Sequence, residues 1–251
     1  MKICVLSSGS KGNTTYIESE KVKILIDIGN SAKYVKEKLE DLGVFPGDID
    51  AILITHTHVD HVKGLKVFEN KYNIPVYITD VMLKSLDYLN NYVFLENEFD
   101  IGDMHIIVIK TSHDAPDSRG YIIISGDDSI VYITDTGYIN KKYFDVLSNR
   151  NVYVMESNHD IEMLNNGSYP FNLRQRILSD KGHLSNYDSA KYLSSFIGNN
   201  TKCIILAHLS EDNNTEELAY NTLIERLNDS DTHVDNIIIA KQNKETELVK
   251  L

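Results

Sequence analysis

The stretch Thr55-His56-Thr57-His58-Val59-Asp60-His61 constrains this chain more than any other. Four of its seven residues, His56, His58, Asp60 and His61, can bind a transition metal. It follows the apolar run Ala51-Ile52-Leu53-Ile54 and precedes Gly64-Leu65-Lys66-Val67-Phe68, which reads as the opening of a helix. A strand ending here carries His56 and His58 past its end on one side, because residues two apart point the same way. Asp60 and His61 then fall on the turn into the helix, within reach of a second position beside the first. Imidazole with one carboxylate suits zinc, manganese or iron better than calcium or magnesium, which prefer an all-oxygen shell.

The same placement, a His or Asp just beyond an apolar strand, recurs at His113, Asp135 and His208. Strand ends along one sheet edge converge in space, so these side chains can meet in one pocket. With His56, His58, Asp60 and His61 they make seven candidate ligands, more than one four-coordinate ion uses. A bridging carboxylate at Asp135 lets them serve two ions: His56, His58 and His113 complete one, and Asp60, His61 and His208 the other. Such pairs stand about 3.5–4 Å apart where they activate a water lying between them.

The remaining composition sets limits. A chain of 251 residues, 42% hydrophobic and 25% charged, fits one soluble domain spanning residues 1–251 with a substantial core. No apolar run reaches the roughly 18 residues that cross a membrane. Met1–Leu6 runs straight into Ser-Gly-Ser, so it reads as a first strand and not a signal peptide. Cys4 and Cys203 lie in apolar runs as small core residues of a reducing cytoplasm, the expected location. A net charge of −12 argues against a broad basic face that coats nucleic acid. It leaves phosphodiester chemistry open, because bound cations reverse the local sign. Nothing marks a protein partner.

Read in order, Lys2–Ser7, Asn13–Glu18 and Val22–Asp27 are short strands, with Ser8–Asn13 read as a hairpin turn ahead of an anion-binding nest. Ser31–Leu42 is an amphipathic helix, and the helix from about Gly64 is followed by a strand at Ile74–Ile78 and a helix over Asp80–Leu89. Strands follow at His105–Lys110, Tyr121–Ser125, Ser129–Thr134, Asn151–Met155, Lys202–Ala207 and Asn236–Ala240. Helices are expected at Lys141–Leu147, Pro170–Leu178, Asn186–Phe196 and Glu216–Leu227. This order fits an α/β sandwich of two sheets better than a singly wound parallel sheet.

The sequence resembles the metallo-β-lactamase fold superfamily of metal-dependent hydrolases, whose His-x-His-x-Asp-His signature matches His56 to His61. The family's later single ligands match Ser112-His113, Thr134-Asp135-Thr136-Gly137 and Ala207-His208-Leu209. Within the superfamily it most resembles the YycJ (WalJ) group of small bacterial and phage proteins. The stretches that carry this are Leu6–Asn13, Ser112–Ala115, Glu156–Asp160 and Gly182–Asn186. The resemblance implies an αββα four-layer sandwich with a two-metal site at one edge, and a 5′-to-3′ exonuclease activity on DNA. Asp135 and His208 stand too close in sequence to hold the extra domain of the RNase J relatives. No glycine-rich arm of the tRNA-processing kind lies between His61 and His113.

Gly182-His183-Leu184-Ser185 resembles the His-Ser-Thr loop of the tRNA-processing phosphodiesterases, where a His assists departure of the leaving oxygen. An imidazole donates a proton readily near neutral pH, so His183 is the expected general acid. Asp60 is expected to help orient a hydroxide formed between the ions. Glu156 and His159 are candidates for orienting a ligand His, and Arg174, Arg176 and Lys181 for holding phosphate oxygens. Tyr138 and Tyr169 lie near the site in sequence and could stack on a base. The rival reading is a hydrolase of a small substrate, such as a cyclic phosphodiester, thioester or lactone, which the acidic net charge favours. A metal-bearing sensor without turnover would be expected to lack part of the ligand set.

Overall fold

The computed structural model describes residues Met1–Leu251. The first half of the chain lays down β1 (Lys2–Ser7), β2 (Thr14–Glu18), β3 (Lys23–Ile26), β4 (Ala51–Leu53), β5 (Val76–Ile78) and β6 (Tyr92–Phe94). The second half forms β7 (Glu98–Ile101), β8 (Met104–Lys110), β9 (Arg119–Ser125), β10 (Asp128–Ile133), β11 (Val152–Glu156), β12 (Cys203–Ala207) and β13 (Asn236–Ile239). β14 (Val249–Lys250) returns to pair antiparallel with β1. One sheet runs β14-β1-β2-β3-β4-β5-β6 and the other β13-β12-β11-β10-β9-β8-β7.

Strand alternation makes these sheets the middle of a four-layer αββα sandwich. Ile3 and Val5 of β1 join Ile24, Ile26 and Leu53 in a core shared with Ile106, Ile123, Val154 and Ile205 of the other sheet. Their neighbours Cys4, Leu6 and Ile52 face the opposite way, onto Val35 and Leu39 of helix Ala32–Asp41 and Leu65 and Phe68 of helix Leu65–Tyr72. On the far side Tyr153, Ile204 and Leu206 meet Ala190, Leu193 and Phe196 of helix Asn186–Phe196, and Leu223 of helix Glu216–Asp229. Strands covered on both faces read as unbroken apolar runs, which is why β4, β11 and β12 lack polar alternation.

Side-chain caps set where several helices start. Ser31, Thr79, Asp160, Ser185 and Thr215 each accept the backbone N–H three residues on. The helix expected over Asp80–Leu89 stops at Leu83, and turns carry Leu86 and Leu89 into the core instead. β6, β7 and β14 were not expected. β6 is exposed at all three residues and is held by backbone pairing to β5, so it carries no burial pattern to read.

β3 to β6 run parallel, as do β10 to β13. Their carboxyl ends lie at the edge where loops from both sheets meet, the usual ligand face of parallel sheets. Asp27 after β3, Asp135 after β10 and His208 after β12 all have left-handed backbone, with φ of 60°, 55° and 57°. A non-glycine residue held there costs of order 1–3 kcal/mol, and such residues cluster at functional sites.

Candidate metal centre

The motif loop is fastened from behind by Asp27, which is fully buried. Its Oδ1 accepts the Thr55 backbone N–H at 2.8 Å, and its Oδ2 accepts Thr55 Oγ1 at 2.7 Å and His61 Nδ1 at 2.7 Å. The short helix Val59–Val62 holds Asp60 and His61 on one turn. It packs so closely on Gly29 that an added Cβ would stand 1.8 Å from the Asp60 carbonyl oxygen. Only glycine permits that approach. Asn13, from the first turn, places its Nδ2 at 3.0 Å from His61 Nε2 and 3.3 Å from Asp60 Oδ2.

Five imidazoles converge, each with one nitrogen turned inward. His58 Nδ1 lies 3.0 Å from His56 Nε2 and 3.2 Å from His113 Nε2. His61 Nε2 is 3.5 Å from Asp60 Oδ2 and 3.3 Å from Asp135 Oδ2. His208 Nε2 stands 3.8 Å from Asp60 Oδ2 and 3.5 Å from Asp135 Oδ1, and that same oxygen is 3.8 Å from His113 Nε2. Asp135 thus sits between two groups, His56/His58/His113 and Asp60/His61/His208, each tight enough to surround one ion.

The outward nitrogens fix the ring orientations. His56 Nδ1 donates to Thr55 Oγ1 at 3.1 Å, His113 Nδ1 to the Gly182 carbonyl at 3.2 Å, and His208 Nδ1 to Glu156 Oε1 at 3.1 Å. With Nδ1 engaged, Nε2 is the atom of each ring turned toward its neighbours, and it is the atom that would bind a cation. Asp135 Oδ2 and His208 Nε2 are buried without any hydrogen-bond partner. A buried carboxylate oxygen and a buried ring nitrogen left without partners among other donor atoms are unfavourable alone and fit a bound cation. The residues present therefore suit divalent metal.

Electrostatics divides the cluster. Burial, then His61 and His113, hold the His56 pKa well below its usual value. Burial and His113 lower that of His58. Burial acts the same way on His61, yet the Asp135 and Asp27 carboxylates outweigh it and hold His61 well above the usual range. His208, likewise opposed by burial, is pushed up to about 10 by Asp135, Asp60 and Glu156. Asp60 is kept far below the usual carboxylate range by His208 and His61 despite its burial.

Glu156 is the second buried anchor. Its Oε1 accepts His183 Nδ1 at 2.7 Å as well as His208, while Oε2 accepts the backbone N–H of Thr136 at 2.9 Å and Leu184 at 3.2 Å. One carboxylate thereby orients His208, His183 and two loops, and with Asp135 these side chains form a further group tight enough to surround an ion. Its pKa stays below the usual range because His183 and His208 outweigh its burial. His183 is 19% exposed in its side chain, and its Nε2 is left to the pocket.

The pocket above these residues holds about 290 Å³. His58, Asp60, His113, Asp135, His183 and His208 line it, with Asp114, Asn158, Tyr169 and Arg176 around the rim. His56 and His61 lie beneath, fully buried. Several expected residues stand elsewhere. Arg174 donates to the Asn165 carbonyl and Lys181 projects into solvent, neither lining the pocket. Arg176, expected alongside them, is at the pocket, paired through Nε with Asp114. His159 orients no ligand: it is buried, neither ring nitrogen has a partner, and burial lowers its pKa to about 4. Tyr169 is at the pocket, its hydroxyl on Asp212 at 2.8 Å, but Tyr138 is not. The Ser8–Asn13 turn borders the site through Ser10 and Asn13. Asp27, Asn13, Asp114 and Asn158 were missed. Asp27 carries the signal that flagged the others, an acidic residue closing the apolar run Ile24-Leu25-Ile26.

Residues 8–208 match the metallo-beta-lactamase superfamily. The chain is 40% identical over 243 residues to "Exodeoxyribonuclease WalJ" of Streptococcus pneumoniae serotype 2, covering 93% of this chain and 90% of that protein. It is 38% identical over 223 residues to "Exodeoxyribonuclease YycJ" of Bacillus anthracis, covering 86% and 84%. Among solved structures, the metallo-beta-lactamase fold protein YhfI of Bacillus subtilis superposes with a TM-score of 0.76 over 98% of this chain and 99% of that one, at 15% identity.

Proposed function

The chain belongs to the metallo-beta-lactamase superfamily, and on that footing we propose that it is a metal-dependent phosphodiesterase that digests DNA from an end, in the 5′-to-3′ direction. Relatives named exodeoxyribonucleases match it along nearly its whole length and support the substrate class. The observation that carries the reading is His183: its Nδ1 is held by the Glu156 Oε1 that also takes His208 Nδ1, which turns its Nε2 to the pocket beside the seven expected ligands.

Two divalent ions, of zinc, manganese or iron, fit the donor set. His56, His58 and His113 would hold one, Asp60, His61 and His208 the other, with Asp135 shared. When bound, the ions supply Lewis acidity that lowers the pKa of water and neutralises charge on the phosphate. The protein's own groups do the rest. Asp60, ionised at the pocket, accepts a hydrogen bond from the attacking water and orients it. Glu156 accepts Nδ1–H of His183 and fixes the ring with Nε2 toward the departing oxygen, to which His183 donates a proton. Arg176 at the rim offers a guanidinium to phosphate oxygens.

A small substrate is the second reading, favoured because Arg176 is the single Lys or Arg lining the pocket and is already paired with Asp114. Bis-p-nitrophenyl phosphate, a 5′-phosphorylated duplex and a thioester, each offered to metal-restored protein, separate the two. Release of mononucleotides from the duplex 5′ end supports the nuclease. Thioester turnover with intact DNA overturns it.

A further inference from the structure

Beside the metal pocket lies a recess of different chemistry. It holds about 620 Å³ and is lined by Tyr138, Asn140, Lys141, Phe144, Lys191 and Tyr192, among others. A second depression of about 150 Å³ shares Tyr138 and Asn140 with it and adds Lys110, Ser112, Lys142 and Tyr143. No Asp or Glu lines either one. Four lysines gathered without a carboxylate are unexpected on a chain of net charge −12. Burial or ion pairing does not explain them. Lys141, Lys142 and Lys191 are exposed and enter no salt bridge, Lys142 lying over the Tyr143 ring at 4.7 Å. Lys110 reaches Asp117 only at 3.8 Å, and that carboxylate is already engaged by Arg119 at 2.7 Å.

The segments bordering the recess lead to or from residues of the metal pocket. Lys110 to Ser112 lead into His113, Tyr138 follows Asp135 by three positions, and Lys191 lies on the helix that opens just after His183. The joint is rigid. The Gly137 N–H donates to the Ser112 carbonyl at 2.9 Å, Ser112 N–H to Thr136 Oγ1 at 3.0 Å, and Thr136 Oγ1 to the Tyr138 carbonyl at 2.8 Å. The Ile139 N–H donates to the Tyr192 hydroxyl at 3.2 Å, fixing the segment to the helix behind it. Tyr138 is left 40% exposed, with no hydrogen-bond partner for its hydroxyl to explain why an aromatic ring stands there.

Exposed cations on a backbone-anchored ledge, with an open tyrosine ring among them, match what single-stranded nucleic acid requires: charge for the phosphates and a flat face for a base. We propose that the lysine–tyrosine recess carries single-stranded DNA next to the metal pocket, with phosphates on Lys110, Lys141, Lys142 and Lys191 and a base stacked on Tyr138. This rests on the nuclease reading and adds to it the path of the strand.

Binding without turnover tests the recess separately from the nuclease. A short fluorescein-labelled single strand is titrated in EDTA, by anisotropy, over a series of KCl concentrations. The Lys141→Glu/Lys142→Glu/Lys191→Glu variant should lose at least about tenfold in affinity, and its salt slope should shrink by about 2, from three contacts at about 0.7 each. The matching glutamine variant should shift in the same direction by less, and Tyr138→Ala should lose about tenfold with its slope unchanged. Thermal melting in each case reports whether the fold is kept. Unchanged affinity and slope in folded lysine variants overturn the proposal, as does wild-type protein that fails to bind the single strand. Digestion of DNA by metal-loaded wild type is scored on its own, so a strand that binds but is not cut sinks the nuclease reading and not the measurement of the recess.

Discussion

The two ends of the proposed metal cluster are built on different principles. At one end His56 and His113 lean on a hydroxyl and a backbone carbonyl. At the other His61 and His208 lean on the buried carboxylates of Asp27 and Glu156. Protonation divides the same way: burial and neighbouring imidazoles hold His56 and His58 neutral, while Asp135 first, with Asp27 at His61 and Asp60 and Glu156 at His208, holds those two protonated well past neutrality when no cation is present. A carboxylate behind an imidazole fixes its tautomer and raises its basicity as a ligand. The neutral end can accept a cation without releasing protons, whereas the carboxylate-backed end must release them.

Asp135 joins the two ends, so removing it should cost most. Asp135→Ala is expected to cut DNA digestion by about 10³-fold or more, beyond the 10- to 100-fold usual for outer groups, with fewer ions per chain by elemental analysis. Near-normal digestion in this variant would mean that the ends work independently.

His183→Ala should slow digestion by about 10²–10⁴-fold while metal content is unchanged. Bis-p-nitrophenyl phosphate, whose leaving group needs no proton, should lose much less. Equal losses on both substrates would make His183 a structural residue.

Glu156→Gln and Asp27→Asn sharpen the contrast within one end. Each should weaken metal binding by about 10- to 100-fold, followed by titration calorimetry. Only Glu156→Gln should also depress turnover at saturating metal, because Glu156 alone touches His183.

The smallest effect is on the metal-free protein. The raised pKa of His208 gives stability that is complete below its ordinary 6.5 and is lost as pH rises through about 10. The depressed pKa of Glu156 gives stability present above its ordinary 4.5 and lost on acidification. The Tm of stripped protein should therefore be highest between about pH 4.5 and 6.5 and fall on both sides. A flat profile would mean these carboxylates do not hold the imidazoles as drawn.

How much of this could be read from the chain depends on the kind of residue. Five of the seven proposed ligands stood out because they lie just past an apolar strand, where a polar side chain projects from a sheet edge, and Asp60 and His61 because they continue the spacing of His56 and His58. The two-sheet sandwich was legible from the order of elements, with strands clustered toward both ends of the chain and helices between them. Arg174 and Arg176 could not be told apart. Two residues on a helix are about 200° apart, and only the packed structure shows which side meets the pocket. His159 sits next to conspicuous residues, yet its ring is turned into the protein, and sequence position does not encode that direction. Asp27 was passed over because it was read as the last residue of the strand Val22–Asp27.

Stoichiometry against rate bears most directly on the paired centre. Metal-stripped protein is loaded stepwise with manganese or zinc, ions per chain are counted by elemental analysis, and digestion of a 5′-phosphorylated duplex is followed at each step. The expected result is a rate that reaches its plateau at two ions per chain. A plateau at one ion, or digestion by protein that holds none, would contradict it.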